Sequence, residues 1–457
     1  MSSKVKLSGT QSSPKFTPEM QKTHKLLVPQ MCPIHFGIVG EVLRRDGMDV
    51  EFLQNSGPAV VEAGLKYVHN DICYPALLVI GQFIDALSSG KYDVNKTALV
   101  ITQTGGGCRA SNYIHLLRKA LVKAGYPQVP VASINFSGLE KEGSFPMSLP
   151  VIFKAIAASM VGDEIMCLAN QTRPYEVIPG DTDRLIRRWM KAAVDRMPAS
   201  GLISRKKLRE IFEAIADDFA AIHVVRTPKV KVGVVGEIYV KFSSLGNNEL
   251  ERFLHEEGCE INVPGLMGFA QYCIVNGMET IKLYGGSPIK VSLYQKAMDF
   301  ITSIERMMQS AILRHREFHA PTLFKDVVGM ADGIVNLGAK MGEGWLLTAE
   351  MVELVKSGYP NIVCAQPFGC LPNHVVGKGM IAKIRQKYPE ANITSVDYDP
   401  GATRVNQENR IRLMLAVGGE QVTKKAAPPL PVAAGQNRGR PRFGRTEVAA
   451  MGGGHSE

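Results

Sequence analysis

No stretch of this sequence is apolar for long enough to cross a membrane. The longest apolar run, Tyr74 to Ile84, is interrupted by Gln82 and falls short of the ~20 residues that a span requires. The opening residues, MSSKVKLSGTQSSPKF, lack an apolar core, so no secretory signal is read there and a cytoplasmic location is expected. Cysteine is scarce: eight residues, at 32, 73, 108, 167, 259, 273, 364 and 370, too scattered for a disulfide scaffold. In a reducing compartment they are thiols or metal ligands. The basic and aromatic interleaving of a single-strand binder is missing, which argues against nucleic acid. The net charge of +10 lies partly in a terminal run, at Lys424, Lys425, Arg438, Arg440, Arg442 and Arg445. It reads first as solubility, and second as attraction for an anionic ligand. VGVVGE at 232–237 carries G-x-x-G instead of G-x-G-x-x-G, so no dinucleotide site is read. There is no Walker A pattern and no internal repeat of 20–50 residues.

What is present describes a globular chain of several lobes. At ~150 residues per domain, 457 residues suggest about three. Short β-branched runs alternate with helical patterns from residue 21 to about 150, which predicts a parallel α/β sheet. Residues 151–228 read as mainly helical and connecting. A second α/β lobe spans 229–418, with a helical insertion in which long helices are expected over 293–318 and 323–337. Residues 1–20 are expected to form a flexible arm. Residues 419–457, rich in Pro, Gly, Ala and Arg, are expected to form a disordered basic tail. The fold class is therefore α/β: two flavodoxin-like parallel-sheet lobes with helical connecting segments.

The most informative stretch is Gln103 to Tyr113, QTGGGCRASNY. It joins a buried-strand pattern at 97–102 to a helical pattern at 113–124. Gly105, Gly106 and Gly107 allow positive φ and the close approach of a bulky group. Cys108 then lies at a helix start, where the dipole favours a thiolate, and Arg109 adds positive charge beside it. Cys73, in Cys73-Tyr74-Pro75, and Cys370, in Gly369-Cys370-Leu371-Pro372, share the feature: a Gly or Pro turn at the mouth of a helix. In open α/β sheets such turns line one crevice. Their spacing matches neither a ferredoxin nor a zinc finger. On pattern alone each is equally well a small buried hydrophobe, and Cys32, before Pro33, fits almost as well. Cys167, Cys259, Cys273 and Cys364 are assigned to packing.

Seven segments carry a resemblance: CPIHF at 32–36, GLKYVHNDICYPALLVIGQ at 64–82, TQTGGGCRASNY at 102–113, VGVVGEIYVK at 232–241, GEGWLLTAEM at 342–351, CAQPFGCLPNHVVGKGM at 364–380 and DYDPGATRVNQENR at 397–410. Together they resemble the 2-hydroxyacyl-CoA dehydratase superfamily, and most of all the dehydratase-like C-terminal portion of acyl-CoA dehydratase activases. The resemblance runs from residue 17 to about 416. It implies a [4Fe-4S] cluster in the crevice between the lobes, held by the matching Cys73, Cys108 and Cys370, with one iron left open. It also implies a radical dehydration. One electron added to a thioester carbonyl gives a ketyl that expels the neighbouring hydroxyl, after which the C3 proton is lost. In the family that electron comes from an ATP-hydrolysing iron–sulfur activator. No ATPase segment is read here, so the activator is expected to be a separate protein. An acyl-CoA substrate and a homo- or hetero-dimer are further implications.

Around the expected crevice, several polar residues have two readings each. His35 is an acid/base or a histidine satisfied by backbone. Glu237 is the C3 base or an N-cap partner. Arg109 binds an anion or hydrogen-bonds a sulfide, or else forms a structural ion pair. His374 hydrogen-bonds the cluster or caps its helix. Gly377 and Gly379 admit a CoA phosphate or punctuate a helix. Three functional readings follow: a radical dehydratase or reductase, a non-catalytic electron relay that docks an activator, and a cluster-free α/β scaffold.

Overall fold

The protein is described by a computed structural model covering residues 14–69, 71–103, 107–135 and 145–426. It is α/β, with two four-stranded sheets that are parallel throughout. The first contains β1 (Lys25–Val28), β2 (Asp49–Phe52), β3 (Thr97–Gln103) and β4 (Val131–Asn135), in the order β2-β1-β3-β4. The second contains β5 (Lys231–Gly236), β6 (Glu260–Asn262), β7 (Asn361–Pro367) and β8 (Asn392–Tyr398), in the order β6-β5-β7-β8. The two orders are the same. Strand order reverses between β1 and β3 in one sheet, and between β5 and β7 in the other. Turns leaving those strands open onto the crevice where α/β sheets bind ligands.

One helix joins the two sheets into one core. Tyr74–Ser88, YPALLVIGQFIDALS, buries 13 of its 15 residues, so it is surrounded on all sides. Its side chains pack with Leu27 and Leu99 of the first sheet, and the same core continues to Val232, Val234 and Val363 of the second. This is where the long apolar run of the sequence is used. Among the described residues no helix is long and apolar enough to cross a membrane.

The connecting region is helical, as its pattern predicts. Leu149–Thr172, Asp181–Asp195 and Arg205–Ala220 pack with Pro288–Ile312 around Trp189, Phe212 and Phe219. Two parts differ from expectation. Leu266–Tyr284 forms a 19-residue helix that the pattern did not announce. The helix expected over 323–337 is reduced to Phe324–Val328 and one 3-10 turn, because Gly329 follows directly and Gly333 takes φ +74°. The expected arm lies mostly outside the described residues. The closing helix, Arg404–Ala426, runs into the span expected to be tail, and residues 427–457 lie outside the described part.

Candidate functional site

Cys108 leaves β3 and Cys370 leaves β7, the third strands of their respective lobes. Each cysteine starts a helical segment, and so does Cys73. Cys73 is the N-cap of Tyr74–Ser88, with Pro75 in the first turn. Cys108 is the N-cap of the Arg109–Asn112 turn, and the Ala110 N–H donates to its sulfur at 3.4 Å. Cys370 directly precedes the helical segment that starts at Leu371. First-turn N–H groups have no partner within a helix, so a sulfur placed there supplies one and gains from the dipole when anionic.

Two of the turns press on each other. Tyr74 N–H donates to the Phe368 carbonyl at 3.0 Å. Gly369 takes φ +73°, and a Cβ on it would come within 3.2 Å of Cys73 Cα. Both its conformation and this contact require glycine. Arg109, exposed, turns its guanidinium to the Asp71 carbonyl and so ties the Cys108 turn to the Cys73 turn. The Gln103 amide donates to the Ser111 carbonyl at 2.8 Å, and the Gln366 amide to the Asn373 carbonyl at 3.2 Å. In both lobes, a glutamine at the end of the third strand holds the carbonyl three residues beyond the cysteine.

Burial is the largest influence on all three thiols and pushes them up. Cys73 is raised, Cys108 is raised to about 12, and Cys370 is raised strongly. The carboxyls of Glu343 and Glu237 push Cys108 and Cys370 further, and the thiols raise one another, Cys73 acting on Cys108 and Cys108 on Cys370. The expectation that the helix start favours a Cys108 thiolate is therefore corrected: desolvation outweighs the N–H contact, and Arg109 faces a carbonyl instead. These thiols ionise only with a compensating charge beside them. Three sulfurs and no nitrogen make a soft donor set of the kind that iron–sulfur clusters use. Among the described residues no group of three or more His, Cys, Asp or Glu stands close enough to hold a single metal ion.

Glu237 caps the short Ile238–Phe242 helix, accepting the Val240 N–H at 2.9 Å, so the capping reading is realised. Glu343 accepts the Ile238 N–H at 3.0 Å. The two buried carboxyls are both raised, first by burial and, at Glu237, then by Glu343. Nearby, Lys241 and Glu350 form a buried ion pair at 3.1 Å. The site thus has a carboxyl wall contributed by lobe two.

His35 is not brought to the cysteines. It is 1% exposed, its Nε2 is 2.8 Å from Asp163 Oδ1, and Asp163 also caps the Leu266–Tyr284 helix through the N–H groups of Leu266 and Met267. It is satisfied by a side chain rather than by backbone. Cys32 and His35 line a separate cavity of about 680 Å³ that none of the three cysteines borders. His374 is half-buried one turn after Cys370, with its N–H donating to the Cys370 carbonyl. Gly107 sits under Met341, whereas Gly105 and Gly106 lie outside the described residues. Gly377 closes a π-turn over 373–377 against Asn373 and Gln366.

Sequence reasoning missed Glu343, Tyr113, Gln103 and Gln366. The glutamines left a signal, Gln103 ahead of Gly107-Cys108 and Gln366 ahead of Gly369-Cys370, a short repeat in equivalent places. Glu343 left none, since its loop is brought to the site only by the fold. No protein-family model and no curated protein sequence matches the chain.

Proposed function

We propose that this chain is a relative of the 2-hydroxyacyl-CoA dehydratases that carries a [4Fe-4S] cluster on Cys73, Cys108 and Cys370, and that it dehydrates or reduces an acyl-CoA. The observation that supports the reading is that the Cys73 and Cys370 turns press on each other between the lobes, while Arg109 ties the Cys108 turn to the Cys73 turn. Each cysteine starts a helical segment, and burial pushes all three thiols up. A cluster at those sulfurs supplies one-electron chemistry at low potential. The protein's own part is to exclude water, to place the sulfurs at helix starts and to keep the Glu237 and Glu343 carboxyls at hand for a proton. The electron donor is proposed to be a separate ATP-hydrolysing iron–sulfur activator.

A second reading, a non-catalytic electron relay, is favoured by one observation. Phe368, Leu371 and Val375 around Cys370 are 54%, 72% and 52% exposed, an apolar surface suited to a docking protein. Iron and acid-labile sulfide after anaerobic purification test the cluster. About four irons per chain are expected, with most of them lost in Cys108→Ala and Cys370→Ala and retained in Cys167→Ala. Equal iron in all variants would sink the assignment. An EPR spectrum of the reduced protein that changes on adding acyl-CoA supports the enzyme, and an unchanged one supports the relay.

A further inference from the structure

We propose that Tyr113 is a positioning residue that sets the reduction potential of the site by donating a hydrogen bond to the Cys73 sulfur. The inference rests on the cluster reading and concerns how that site is tuned.

The three sulfurs are not equivalent. Each cysteine starts a helical segment, and the Ala110 N–H donates to the Cys108 sulfur at 3.4 Å. Among the described residues only Cys73 also meets a hydroxyl: the Tyr113 phenol oxygen lies 2.9 Å from its sulfur. Tyr113 is 9% exposed and is the first residue of the Tyr113–Ala124 helix, which continues directly from the Cys108 turn. The phenol therefore reaches from the segment of one cysteine to the sulfur of another. A phenylalanine would fill the same core, so the buried hydroxyl calls for a partner. A neutral thiol is a poor acceptor, whereas a sulfur that has given up its proton to bind metal is a strong one. A ligated sulfur carries no proton, so the phenol must be the donor. The buried hydroxyl is best satisfied when Cys73 is a ligand.

The sign of the effect follows. Reduction adds negative charge that spreads onto the sulfurs, and a hydrogen bond to sulfur stabilises the more negative state and raises the potential. Removing the phenol O–H lowers it. The control is Tyr126, whose hydroxyl meets Ser88 at 3.2 Å, away from the sulfurs.

The test is a redox titration followed by EPR, with iron and sulfide measured on the same samples. Tyr113→Phe is expected to keep its iron and to reduce about tenfold less favourably, a fall of about 59 mV for one electron. Tyr126→Phe is expected to titrate like the parent. Iron retained with an unchanged midpoint overturns the role of Tyr113 and leaves the cluster standing. A parent protein without iron overturns both. If Tyr113→Phe fails to fold, 3-fluorotyrosine placed at position 113 decides. It keeps the hydroxyl and strengthens it as a donor, so the midpoint is expected to rise, and no rise overturns the proposal.

Discussion

The two lobes share one strand order and differ in what they bring to the crevice. In each, a glutamine near the end of the third strand precedes a Gly-Cys turn and holds the carbonyl three residues past the cysteine. In lobe one the turn after the first strand, Cys32 to His35, is spent on packing and on Asp163. In lobe two the equivalent turn presents Glu237, backed by Glu343 and the Lys241–Glu350 pair. Lobe one adds instead Cys73 and the Tyr113 hydroxyl. The shared topology places a sulfur at the same point in both sheets, while the remaining side chains divide the work. Lobe one sets a hydroxyl against a sulfur, and lobe two keeps buried carboxyls.

The largest difference in stability should lie in charge burial. Lys241 and Glu350 are both 5% exposed, whereas the lobe-one pair Lys25–Asp49, on neighbouring strands β1 and β2, is 35% and 62% exposed. Lys241→Met leaves a buried carboxylate uncompensated and should cost about 3–5 kcal/mol. Lys25→Met should cost less than about 1 kcal/mol. Urea unfolding measures both. The double variant Lys241→Met/Glu350→Met should recover most of the loss, and a double variant as unstable as the single one would break the contrast.

A smaller contrast separates the two glycines that precede the third-strand cysteines. Gly369→Ala must take φ +73° and push Cβ onto Cys73 Cα, so about 1–2 kcal/mol is lost in backbone strain alone, and the Cys73 turn shifts with it. A Cβ at Gly107 meets only the thioether end of Met341, which is 52% exposed and free to swing away. Its cost should stay within about 0.5 kcal/mol. Thermal denaturation together with iron content checks both. Equal damage from the two substitutions would mean that the Gly369–Cys73 contact does not hold the lobes in register.

The alternation of β-branched runs with helical patterns was enough to read two parallel sheets, because buried parallel strands such as TALVITQ and NIVCAQP are apolar on both faces. The helix at 266–284 was not readable in the same way. It carries glycines at 268 and 277, and Gly277 lies where Tyr294 of the neighbouring helix packs. Gly329 and Gly333 looked tolerable and did break their helix. A glycine's effect depends on what packs against it, which sequence spacing does not carry. The same limit applies at the site. Gly and Pro turns marked the three cysteines as helix starts, since capping is local. Glu343 and Tyr113 reach their partners through tertiary contacts 105 and 40 residues away in sequence, and no local pattern encodes them.

The smallest contrast is in pH dependence, and the two lobes should slope in opposite directions. Glu237 and Glu343 titrate above the ordinary 4.5 in the folded chain, both through burial first, with Glu343 then raising Glu237 further. Below pH 4.5 folded and unfolded states both hold these protons, and the pair's contribution to stability is intact. As pH rises, the unfolded chain releases them first, so the folded state binds more protons and stability falls until the raised folded values are passed. Glu51 in lobe one behaves oppositely. Burial works against its ionisation, but hydrogen bonds from Lys91, Tyr92 and Lys25 hold it below 4.5. Its contribution is present above pH 4.5 and is lost as pH falls through its lowered value. Glu237→Gln should therefore flatten the decline in stability above pH 4.5 and leave the acid limb unchanged. Glu51→Gln should soften only the acid limb, and by less, because Glu51 is 28% exposed and screened by water. Urea midpoints measured from pH 3 to pH 9 separate the two. If Glu237→Gln left the slope above pH 4.5 intact, the buried carboxyls of lobe two would not be holding a proton, and the division of work between the lobes would fail on the side of the carboxyls.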